Sequence, residues 1–126
     1  MDRSNAKIIY ETQVQDIGAE AKEFAEIKML ILFGNEAPDA LRSSCYIIAV
    51  NPLQGTIVPG MILQIDDHEY QITAVGNEVQ RNLGNLGHIA ISLTGKQTAE
   101  LPGTLYVENG NYPDIIKGST LKIIEN

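Results

Sequence analysis

The 126-residue chain has one cysteine, no tryptophan, two phenylalanines and two histidines. A single thiol, Cys45, rules out an intramolecular disulfide and a multi-cysteine metal centre, which fits a reducing compartment. Basic residues are also scarce: 9 Lys and Arg stand against 16 Asp and Glu, a net charge of -7. A field of that sign repels phosphate backbones and anionic lipid headgroups, so nucleic-acid binding is disfavoured and encounter with a basic protein is favoured. No apolar run approaches the roughly 20 residues of a membrane span, and the start, MDRSNAKIIY, has no apolar segment of signal-peptide length. A soluble, cytoplasmic protein without direct membrane insertion is expected.

Catalytic signatures are as sparse as cysteines. The chain has no P-loop, no GxSxG, no HExxH and no helix carrying paired metal ligands. The glycines of NLGNLGH, residues 82–88, precede a strand, the reverse of a dinucleotide fingerprint. A cradle for a phosphate is therefore unsupported.

What the chain does contain is strand. KIIYETQVQ alternates, with Ile8, Tyr10, Thr12 and Val14 expected on the buried side. KMLILFG (28–34) and CYIIAV (45–50) are rich in apolar and branched residues. MILQID and EYQITAVG flank a tight turn at Asp66, Asp67 and His68, the pattern of a hairpin. HIAISLTG, TLYVEN and LKIIE complete about seven or eight short strands. Helix is confined to short pieces near 19–26 and 37–44, and to NEVQRNLGNLG, with Asn77 expected as N-cap and glycine as terminator. VPGMILQI, LPGTLYV and IKGSTLKI each set a glycine before an alternating strand, which suggests sharp corners. With no crossover helices for a parallel sheet, the expected fold is all-β: a small closed or nearly closed antiparallel barrel with one or two short helices. One domain, 7–126, suits this length, and residues 1–6, with the tag-like SNA, are expected to be disordered or extraneous.

Histidine carries the remaining chemistry, since neutral imidazole offers a nucleophilic lone pair near neutral pH. His68 lies in IDDHEY, where neighbouring carboxylates favour the imidazolium and repel an incoming anion. His88 has no adjacent carboxylate and follows Gly84 and Gly87, which leave room for close approach. His88 is therefore the favoured reactive residue and His68 the second choice. Ser92, Thr94 and the backbone N–H groups near Gly87 are the candidate donors to a bound anion. Cys45, opening an apolar strand without a neighbouring cation, reads as a structural thiol. Asp66, Asp67 and Glu100 read as solvated surface.

Three segments, ITAVGNEVQRNLGNLGHIAISLTG, AELPGTLYVE and YPDIIKGSTLKI, together with IIYETQVQDIGAEA and APDAL, resemble the glucitol/sorbitol-specific IIA component of the bacterial phosphoenolpyruvate-dependent sugar phosphotransferase system. The likeness runs in order along nearly the whole chain. It implies a small β-barrel phosphotransferase component without a cofactor. Such a protein takes a phosphoryl group from the histidine-containing phosphocarrier protein and passes it to the IIB component, for sugar uptake through the permease. The resemblance also implies a phosphorylated histidine in the strand matching CYIIAVN, at or next to Ile48. That strand has no histidine here, so the carry-over fails at that residue. Two readings follow: a carrier that uses His88 or His68, or a non-catalytic binding or regulatory paralogue with the same fold.

Overall fold

The computed structural model describes residues 6–126. The expectation for the first six residues falls almost wholly on positions 1–5, outside the described residues. Eight strands follow in chain order: β1 (Ile8–Ile17), β2 (Met29–Gly34), β3 (Tyr46–Ile48), β4 (Ile62–Ile65), β5 (His68–Val75), β6 (Ile89–Ser92), β7 (Thr104–Val107) and β8 (Thr120–Ile124). A 3-10 helix, Ala21–Ile27, precedes β2; α1 (Asp39–Arg42) lies between β2 and β3, and α2 (Val79–Leu86) between β5 and β6. The strands close into a barrel in the order β1-β3-β2-β6-β7-β5-β4-β8.

The closed barrel agrees with the sequence. Pairing is antiparallel at most seams, as expected, but β2 with β3 and β6 with β7 run parallel. The expected absence of crossovers is thus corrected. Residues 35–45 form a crossover with a single helical turn, and 93–103 form one with no helix. A crossover needs only to span the sheet and return, and in a small barrel a short path suffices.

Alternation sorts the side chains into two packed groups. The interior holds Ile9, Tyr10, Val14, Leu30, Leu32, Tyr46, Ile48, Ile89, Ile91, Leu105 and their neighbours. A smaller cluster of Phe33, Ala37, Cys45 and Ile47 packs on the outer face of β2 and β3, beneath the crossover. One detail departs from simple alternation: a bulge between Ile8 and Tyr10 leaves Ile8 exposed and turns both Ile9 and Tyr10 inward. A bulge inserts one extra residue on one strand and so shifts the pleat phase.

Helix α2 forms where Val79 and Leu83, one turn apart, both join the interior cluster. Its N-cap is Glu78, one residue later than expected, with no side-chain capping bond. It ends as expected on Gly87, whose φ of 67° places it in the left-handed region. Two of the three glycine corners, Gly60 and Gly118, also have positive φ. In the β4–β5 turn Asp66 has a φ of 51°, and its carboxylate accepts the Ser119 hydroxyl at 2.8 Å and the Thr120 N–H at 3.0 Å. No helix among the described residues is long and apolar enough to cross a membrane.

Candidate functional site

His88 stands where three elements meet. Helix α2 ends at Leu86, Gly87 turns the chain, and β6 begins at Ile89. The His88 N–H donates to the Asn82 carbonyl at 3.2 Å and the Gly87 N–H to Leu83 at 3.0 Å, so the helix terminus aims the ring. Register then matters: Ile89 pairs with Leu32, which brings His88 beside Phe33 on the outside of the barrel. The imidazole stacks on the Phe33 ring with centroids 4.1 Å apart and planes inclined by 20°.

The approach depends on two glycines. A Cβ on Gly34 would lie 2.4 Å from a Val50 methyl and 2.6 Å from the Leu86 carbonyl. A Cβ on Gly87 would lie 3.1 Å from the Gly34 nitrogen. Only residues without side chains let the end of β2 and the α2 terminus come this close.

Tautomer is the chemically decisive feature. The His88 Nδ1 lies 3.1 Å from the Leu32 carbonyl oxygen. A carbonyl can only accept, so in the neutral ring Nδ1 carries the proton and Nε2 keeps the lone pair. Nε2 makes no hydrogen bond to a described residue and is not sealed in the interior. The result is an imidazole clamped on one face and one nitrogen, with the other nitrogen available.

The expected phosphate donors are not assembled there. Ser92 and Thr94 hydroxyls bond to each other at 2.9 Å, and Ser92 pairs with Met29 at the opposite end of β2 from Phe33. The N–H groups of Gly87 and His88 are both used in ending α2. His68 is an exposed residue facing Ile65 across the hairpin, its ring 6.5 Å from that of Tyr70. It shares no contact set with His88, so the two histidines form no joint site.

The position that the family resemblance points to lies inside the barrel. Ile48 is fully buried and pairs with Val14 on one side and Gly34 on the other. Its side chain belongs to the interior cluster that also contains Val79 and Leu83 of α2. Cys45 is buried too; its thiol donates to the Leu41 carbonyl at 3.1 Å, and burial pushes its pKa up, as for a structural cysteine. Glu100 is paired with Lys96, and no group of three or more His, Cys, Asp or Glu side chains among the described residues could hold a metal. Leu32 and Phe33 were not singled out by sequence, because a nonlocal register brings them to His88; the only local hint was Phe33 among aliphatic residues.

A closed barrel of this shape has a solved counterpart in a class of transport-linked proteins. The crystal structure of a PTS system IIA component from Enterococcus faecalis V583 superposes with a TM-score of 0.82 at 29% sequence identity, covering 91% of this chain and 99% of that one. The PTS system glucitol/sorbitol-specific EIIA components of Shigella flexneri and Escherichia coli (strain K12) are each 38% identical over 115 residues, 91% of this chain and 94% of each relative. The family model described as the PTS system glucitol/sorbitol-specific IIA component matches residues 9–122. The chain belongs to that family.

Proposed function

We propose that this protein is a cytoplasmic phosphoryl carrier that takes its group from the histidine-containing phosphocarrier protein and hands it to the IIB component for glucitol or sorbitol uptake through the permease. His88 is the acceptor. The observation that carries this reading is the Nδ1–H to Leu32 carbonyl bond, which holds the imidazole in the tautomer with a free Nε2.

The step is an in-line displacement. The Nε2 lone pair attacks phosphorus of the donor phosphohistidine; the new N–P bond forms as the old one breaks, and its electron pair returns to the donor nitrogen. The same displacement in the next direction moves the group onward. As positive charge builds on the His88 ring, the Leu32 carbonyl accepts a stronger hydrogen bond and the Phe33 face supplies favourable π contact. Positioning is the main contribution of the protein, since the bound imidazole needs no reorientation. The donor must bring its own groups for the phosphoryl oxygens, because Ser92, Thr94 and the Gly87 N–H are committed elsewhere.

A second reading rests on Ile48: where the family resemblance places a phosphorylated histidine, this chain has a side chain that cannot accept a phosphoryl group. A non-catalytic binding or regulatory paralogue would keep the barrel and lose the transfer. A phosphorelay with labelled phosphoenolpyruvate and purified upstream proteins separates the two. Label on wild type and on His68→Ala, absent from His88→Ala, is the expected result. Label on none of the three supports the paralogue, and label lost only in His68→Ala moves the site.

A further inference from the structure

The 3-10 helix Ala21–Ile27 and its preceding residue carry a charge pattern that folding does not explain. A 3-10 helix has three residues per turn, so residues three apart lie almost directly above one another. Glu20, Glu23 and Glu26 therefore form one row, and Ala21, Phe24 and Ile27 form the next. Like charges stacked in this way destabilise a helix by a few tenths of a kcal/mol per pair.

Nearby lysines do not neutralise the row. Lys22 turns to Asp114 at 3.7 Å, and Lys28 turns to Asn109 and Gly110. Glu23 and Glu26 accept no hydrogen bond or ion pair through their carboxylates from a described residue, and Glu20 has only a long 3.5 Å contact with the Ser43 hydroxyl. The apolar row is also unfinished: Ala21 is buried, Phe24 half-buried, and Ile27 59% exposed. Glu20, Glu23, Glu26, Phe24, Ile27 and Ser44 line one open cleft.

We infer that this cleft is a docking surface for a basic amphipathic helix of another protein, with an apolar side chain seated on Ile27 and Phe24 and Lys or Arg residues beside Glu20, Glu23 and Glu26. The spacing fits. Three residues of 3-10 helix rise about 6 Å, as do four residues of an α-helix, so cations at i and i+4 on the partner meet successive carboxylates. Charge selects against the other occupants. A second copy of this chain carries the same net -7 and the same carboxylate row, and an anionic lipid surface is repelled. A purely cationic chain would leave Ile27 in water.

The surface is distinct from the His88 site. The 3-10 helix leads into the start of β2 and sits beside Ser44 ahead of β3, whereas His88 is alongside Phe33 near the finish of β2. The inference does not depend on phosphoryl transfer, and its test involves none.

The probe is a short leucine/lysine peptide with leucines on one helical face, compared with a scrambled peptide of the same composition. Titration into 15N-labelled protein should shift the amides of residues 20–27 and 44. Ile27→Ser should weaken binding about tenfold or more, and the Glu23→Gln, Glu26→Gln double variant should remove most of its salt dependence. Both variants alter exposed side chains, and their unchanged spectra elsewhere would report an intact fold. Equal binding by the scrambled peptide, shifts centred away from the 3-10 helix, or an Ile27→Ser affinity equal to wild type would each overturn the assignment. Self-association of the free protein that Ile27→Ser abolishes would give the face to a second copy instead.

Discussion

The carbonyl of Leu32 and the Nδ1 of His88, 56 residues apart in sequence, meet at 3.1 Å where the β2–β6 ladder ends. Because the acceptor is a backbone atom of a core strand, no side-chain substitution removes it without moving the strand. The bond makes His88 the Nδ1–H tautomer, and the Phe33 stack limits the ring's tilt. Phe33 is accordingly a positioning residue. Phe33→Ala should cost about 3 kcal/mol of stability through the cavity and lost stacking, and Phe33→Leu less than half of that. In Phe33→Leu, nitrogen chemical shifts of the His88 ring should show a mixture of tautomers in place of one. A single Nδ1–H tautomer persisting in that variant would show that the carbonyl alone suffices.

Ile48 gives a prediction with the opposite pattern. Ile48→Ala should destabilise the barrel by about 2–5 kcal/mol, as deletion of buried aliphatic carbons does, without shifting the His88 ring signals. A denaturant melt measures the first effect and a histidine-selective spectrum the second. Movement of the His88 signals would mean that the interior and the outer face are coupled through Gly34.

Tyr10 governs the alkaline limit. Its hydroxyl is buried and has no hydrogen-bond partner among the described residues, and burial pushes its pKa up to about 12 from an ordinary value of 10.0. The neighbouring Thr12 hydroxyl acts in the lowering direction but is the smaller influence, and its proton goes to the Ala49 carbonyl at 2.6 Å and not to Tyr10. A raised folded-state pKa means that between pH 10 and about 12 the folded chain holds a proton the unfolded chain has lost. The stabilisation is complete below pH 10 and disappears as pH rises through that window. Tyr70 and Tyr112, both raised chiefly by burial, act in the same direction. Tyr10→Phe removes an unsatisfied hydroxyl and should leave stability at pH 7 unchanged or about 1 kcal/mol higher. Its melting temperature should also fall less steeply above pH 10 than that of wild type.

The barrel was legible because local patterns carried it: alternation in KIIYETQVQ, the hairpin turn at Asp66 and Asp67, and the glycine that ends α2. The parallel seams were not, since the short crossovers 35–45 and 93–103 resemble ordinary loops when read along the chain. The sequence neighbours of His88 and His68 could be compared along the chain, but the clamp that the fold places on His88 could not be read there. Leu32 and Phe33 meet it only through the β2–β6 register, a nonlocal property set by burial of Leu30, Leu32, Ile89 and Ile91 on the inner face. The expected donors Ser92 and Thr94 failed for the same reason: nearness along a strand becomes distance along the barrel wall.

Closure of the barrel rests on β8, which pairs with β1 on one side and β4 on the other. On a ribosome, β1 and β4 would emerge with free backbone donors and acceptors and keep them until residues 120–124 follow. Seven strands can form ladders before then, yet none of them can seal the sheet. Strand β8, which follows the other seven described strands in the chain, thus converts an open sheet with two adhesive edges into a closed one. Truncation before Thr120 should therefore act on solubility during synthesis more strongly than the loss of seven residues would suggest.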